Sequence, residues 1–89
     1  MAGFIIFKLP EVARNAADKA ESKLLPLDNI STIYCYDEYV IITDKQDWKY
    51  IIGCKPDDVL KAVDYLVDGW GTFDVVTSSW KEEYIGYAG

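Results

Sequence analysis

The feature that most constrains the fold is the stretch 30–54, which is dense in isoleucine, valine, threonine and tyrosine and is broken twice by polar residues. β-Branched and aromatic side chains fit a pleated, half-buried surface. The stretch therefore predicts three short strands: 30–36, 39–43 and 48–53. The second and third are joined through Asp44-Lys45-Gln46-Asp47 as a hairpin. Asp37-Glu38 fits either a turn or a bulge in one longer strand.

The flanks carry a different period. Segment 4–9 is a nearly continuous apolar run and predicts a strand buried on both faces, central in a sheet. Pro10 then opens a helix, because proline suits the first helical position, and Glu11 complements the dipole there. Ala13, Ala16, Ala17, Ala20 and Leu24 form its inner face, Arg14, Asp18, Glu21 and Ser22 its outer face, and Pro26 stops it. A second helix opens at Pro56 with Asp57 and Asp58 in its first turn. Its apolar stripe is Val59, Ala62, Val63, Leu66, Val67 and Trp70, and Gly69 or Gly71 caps it. Segment 73–77 is a last strand. The tail 78–87 still carries Trp80, Tyr84, Ile85 and Tyr87, which must pack on the sheet or on another copy.

The order is strand, helix, two or three strands, helix, strand. It predicts one α+β domain over 1–89: a ferredoxin-like sandwich with a mainly antiparallel sheet of four or five strands and two helices on one face. The open sheet face would then carry Tyr34, Tyr36, Trp48 and Tyr50. An exposed aromatic face of that kind points to dimerisation or partner binding.

Composition removes most chemistry. The chain of 89 residues contains no histidine, the commonest general acid–base and metal ligand. It has one arginine, Arg14, and eight lysines against 15 acidic residues, for a net charge of −6. Direct nucleic-acid binding needs several phosphate-neutralising cations on one face and is not expected. An RNA-recognition module would add a Lys/Arg-Gly-Phe/Tyr run, which is missing. A copper-chaperone type needs paired cysteines in the first loop, and an acylphosphatase type needs an arginine in a phosphate cradle; neither pattern is present. Cys35 and Cys54 read as two small buried hydrophobes, with a single disulfide as the alternative. Neither has an activating base, so no catalytic residue and no cofactor is assigned. Gly69-Trp70-Gly71 follows a helix and reads as a cap and turn. The carboxylate doublets are not chelating pairs, since neighbours on a strand face opposite ways, and no metal site is assigned. No apolar run is long enough to span a bilayer, and the start lacks the marks of a signal peptide, so a cytoplasmic location is expected and no membrane partner.

Acidic and aromatic residues are what remains. Asp57, Asp64 and Asp68 run along one helix face, and Asp37 and Glu38 sit at strand ends. With Tyr34, Tyr36, Trp48, Tyr50, Trp80 and Tyr84 as anchors, they predict a surface for a basic partner protein, on a homodimer. A short acidic chain rich in isoleucine and tyrosine, poor in arginine and without histidine, in this element order, resembles small proteins of archaeal viruses. Among these are dimeric ferredoxin-like anti-CRISPR proteins. The resemblance spans the chain in composition and element order and carries no motif. It implies a non-enzymatic inhibitor that binds a basic subunit of a host nucleic-acid-handling complex. Two other classes stay open: a regulatory domain binding a small molecule or metal, and a structural subunit of a larger assembly.

Overall fold

The structure, a computed structural model, describes residues 3–10 and 20–86. In β1 (Phe4–Lys8) burial alternates: Ile5 and Phe7 are fully buried, while Phe4 and Lys8 are exposed. β1 is central in its sheet as expected, but only one of its faces is fully covered. Its antiparallel neighbour is β2 (Ser22–Pro26), with Ile5 opposite Leu25 and Phe7 opposite Lys23. Its other neighbour is β6 (Thr72–Val76), which runs parallel to it. The chain then enters a 3-10 turn (Leu27–Asn29) and the β-branched stretch.

That stretch forms β3 (Ile30–Cys35), β4 (Tyr39–Asp44) and β5 (Trp48–Gly53), close to the expected bounds. The tail adds β7 (Ser79–Tyr84), giving an antiparallel sheet of order β3-β4-β5-β7. Asp37-Glu38 is a turn: the Tyr36 amide donates to the Tyr39 carbonyl at 2.9 Å. The bulge lies elsewhere, between Ile30 and Thr32.

The two sheets face each other. The Phe7 ring lies 5.4 Å from Trp80 and the Lys23 ammonium 5.9 Å from the Tyr50 ring. Ile5, Phe7, Leu25 and Val75 from the first sheet pack with Val40, Ile42, Tyr50 and Ile52 from the second. The helix α1 (Pro56–Leu66) adds Val59, Ala62 and Leu66 to the same core and packs on β6 and β1. Its stripe is shorter than its period suggests. Leu66 is the last buried position; the helix ends there with Val67 as its C-cap, and Val67 and Trp70 are 56% and 70% exposed.

The ferredoxin-like expectation is therefore corrected. Among the described residues there are seven strands in two sheets and one α-helix. The expected first helix falls largely on 11–19, outside the described residues. Its expected last turn is β2: Leu25 points inward and Leu24 outward, a two-residue period. Pairing with β1 overrides the helical spacing of Ala20 and Leu24, and Pro26 ends an edge strand, where proline is tolerated. The strands form two sheets because β1 pairs with β2 and β6 and with none of β3, β4, β5 or β7, while the aromatic tail extends the second sheet as β7.

Among the described residues, no helix is long and apolar enough to cross a membrane.

A cleft at one end of the second sheet

The two ends of β4 use their side chains differently. At the Asp44 end the hairpin needs a residue in the left-handed region, and Asp47 fills it at φ 67°. Asp44 itself is 6% exposed. Its Oδ1 accepts from the amides of Gln46 (2.9 Å) and Trp48 (3.0 Å), and its Oδ2 from the Tyr50 hydroxyl (2.8 Å). Both oxygens are thus committed to holding the turn. Burial, then the hydrogen bond to Asp44 and its charge, push the Tyr50 hydroxyl well above its ordinary pKa.

At the Tyr39 end the carboxylates are left over. Asp37 and Glu38 sit exposed on the turn, and Asp58 is half-buried in the first turn of α1. None of the three makes an ion pair or side-chain hydrogen bond among the described residues. They rim a cleft of about 1150 Å³ floored by Tyr39, Ile41, Ile51 and Gly53 and walled by Val76, Thr77, Ser78 and Ser79. Lys55 is the one basic residue of the lining.

Gly53 opens the cleft. A Cβ there would lie 2.2 Å from Ser79 Oγ and 2.8 Å from Ser78 Oγ. The close approach lets the Ser78 amide donate to the Gly53 carbonyl at 2.7 Å, which carries the chain from β6 into β7. The Thr77 hydroxyl donates to the Lys8 carbonyl (2.7 Å) and the Ser78 hydroxyl to the Gly53 carbonyl (3.3 Å), so both are tied to backbone. Burial pushes the Cys54 thiol up to about 11, helped by the Asp58 charge and by Cys35. At neutral pH it is a protonated, weak nucleophile.

The candidate site residues do not form one cluster. Asp37 and Glu38 come together at the cleft, joined by Asp58, which the sequence suggested only as a helix-dipole residue. Asp57 stands one residue away. Asp64 and Asp68 are exposed further along and past the end of α1 and do not line the cleft. Among the aromatics, Tyr50 is buried and Trp80 half-buried in the core, against Phe7 and each other. Trp48 and Tyr84 share that inward side of the sheet, 5.4 Å apart at its end. The outward aromatic face of Tyr34, Tyr36, Trp48 and Tyr50 is therefore corrected, because even-numbered β5 residues point to the core. Tyr34 stays exposed on the outer side, and Tyr36 stacks on Tyr39 at 4.6 Å. The buried reading of the cysteines holds for Cys54 only: Cys35 is exposed, and both are free thiols.

Ile41, Ile51, Ser78 and Ser79 gave no signal in the sequence; only the pairing of β5 with β4 and β7 assembles them. Among the described residues, no three His, Cys, Asp or Glu side chains converge as metal ligands. Compared with known proteins, the chain matches no family model, no curated protein and no solved structure.

Proposed function

We propose that this is a non-enzymatic binding protein whose cleft takes a basic segment of a partner protein. The observation that carries the reading is the set of three carboxylates, Asp37, Glu38 and Asp58, around an apolar floor and without ion-pair partners among the described residues. Such a rim attracts a lysine or arginine head, while Tyr39, Ile41 and Ile51 take up the aliphatic stem. Asp57 and Asp58 also occupy the positive end of α1, which disfavours an anionic ligand there. Of the lining's nucleophile candidates the Cys54 thiol is protonated and the Thr77 and Ser78 hydroxyls are bonded to backbone, which leaves the Ser79 hydroxyl and favours binding over turnover. The net charge of −6 adds long-range attraction for a basic protein.

The likeness to archaeal-virus inhibitors now rests on composition, since its element order does not hold, and no residue role is carried across. A partner within a nucleic-acid-handling complex would suit the charge.

The test is calorimetric titration with a short lysine- and arginine-containing peptide with apolar residues between the charges. Binding should weaken as salt rises and fall at least about tenfold in the triple variant Asp37→Asn, Glu38→Gln, Asp58→Asn. Equal binding by that variant would remove the cleft from consideration. Binding of small organic amines but not of the peptide would move the reading to a small-molecule regulatory domain.

A further inference from the structure

We propose that the free edge of β3 pairs, antiparallel and about a two-fold axis, with the β3 edge of a second copy of this chain, centred on Tyr34. Among the described residues four strands lie at sheet edges: β2, β6, β3 and β7. Exposed edges template pairing with another chain, and proteins blunt them with charge or proline. β2 carries Lys23 and Pro26, β6 carries Asp74, and β7 carries Lys81, Glu82 and Glu83. β3, Ile-Ser-Thr-Ile-Tyr-Cys, carries neither charge nor proline nor glycine.

The turn fixes which backbone groups are available. The Tyr36 amide bonds to Tyr39 on β4. Antiparallel pairing alternates, so Thr32, Tyr34 and Tyr36 direct their amides and carbonyls to β4. Ile33 and Cys35 direct theirs outward. Ser31 lies in the bulge and breaks the pattern at the far end. The regular part, 32–36, is centred on Tyr34. A two-fold axis there sets Ile33 of each copy against Cys35 of the other, with four backbone hydrogen bonds, and brings the two Tyr34 residues face to face. Tyr34 is 56% and Tyr36 45% exposed, so the edge carries aromatic area suited to a buried contact.

The lack of charge on this edge admits a second copy. A second copy also carries −6 and is repelled by most of this surface. On this register the paired segment 32–36 ends with Thr32 opposite Tyr36 of the other copy and contains no charged residue, so no like charges meet within it. The cleft floor lies on β4 and β5, inward of the paired edge in the sheet. The pairing does not rest on the cleft's ligand.

Sedimentation of the full chain should give a species of twice the 10.1 kDa chain mass. Tyr34→Lys sets two ammonium groups against each other at an exposed position and should raise the dimer dissociation constant at least tenfold with an unchanged circular dichroism spectrum. In Tyr34→Cys with Cys35→Ser, the directly opposed, non-hydrogen-bonded positions sit about 4.5 Å apart at Cα, within disulfide reach. Mild oxidation should lock that variant as a covalent dimer. A wild-type monomer at 100-micromolar-scale concentration would overturn the proposal. So would a dimer that Tyr34→Lys leaves intact and the cysteine variant fails to cross-link.

Discussion

The two ends of β4 hold carboxylates of the same chemistry in opposite circumstances. Asp44 is buried, and both its oxygens are occupied by donors of its own hairpin. Asp37 and Glu38, exposed, and Asp58, half-buried, stand around a cleft and hold no such partners among the described residues. A carboxylate whose desolvation is offset by hydrogen bonds builds structure, and one left without partners contributes little to stability and stays available for a ligand. Sequence type does not separate the two roles; the surrounding donors do.

The largest expected effect breaks the structural end. Asp44→Ala strips three donors of their acceptor, two of them turn amides, and should cost about 3 kcal/mol in urea unfolding. Peptide binding at the other end, measured where the variant is still folded, should persist.

Alkaline titration separates the ends next. Below pH 9 both folded and unfolded chains keep the Cys54 proton. From there the unfolded chain releases it while the fold retains it up to about 11, so stability should fall as pH rises. The raised Tyr50 hydroxyl adds a second loss from its ordinary value of 10.0 upward. Thermal melts against pH should lose the earlier limb in Cys54→Ala and the later one in Tyr50→Phe.

Much of the second sheet was legible. The period of two in β4, the turn residues Asp44 to Asp47 and the proline opening α1 each express a local rule. The rest was set by distant pairing. Ser22 to Pro26 has a helical context but takes the strand that β1 offers. β7 contains Lys81, Glu82 and Glu83, so the tail that had to pack on the sheet or on another copy showed no strand pattern, and only pairing with β5 sets Trp80 against Phe7. The cleft was half legible: Asp37 and Glu38 stood out as charge, whereas Gly53, Ser78 and Ser79 meet only because β5 and β7 are neighbours.

A smaller effect sharpens the cleft's shape. Gly53→Ala should cost about 1–2 kcal/mol through the Ser78 and Ser79 hydroxyls it displaces, and Ser79→Gly in the same chain should recover part of it in denaturant melts. Smallest of all is the charge set itself. Neutralising Asp37, Glu38 and Asp58 together should cost no more than about 1 kcal/mol, most of it from Asp58 at the positive end of α1.

The most direct measurement is a nuclear magnetic resonance titration of the nitrogen-labelled chain with the basic peptide. Amide shifts confined to residues 37–39, 53–58 and 76–79, and lost at high salt, are the predicted result. Shifts centred on Asp64 and Asp68, or none at peptide excess, would contradict the claim that the partnerless end of the sheet is the binding end.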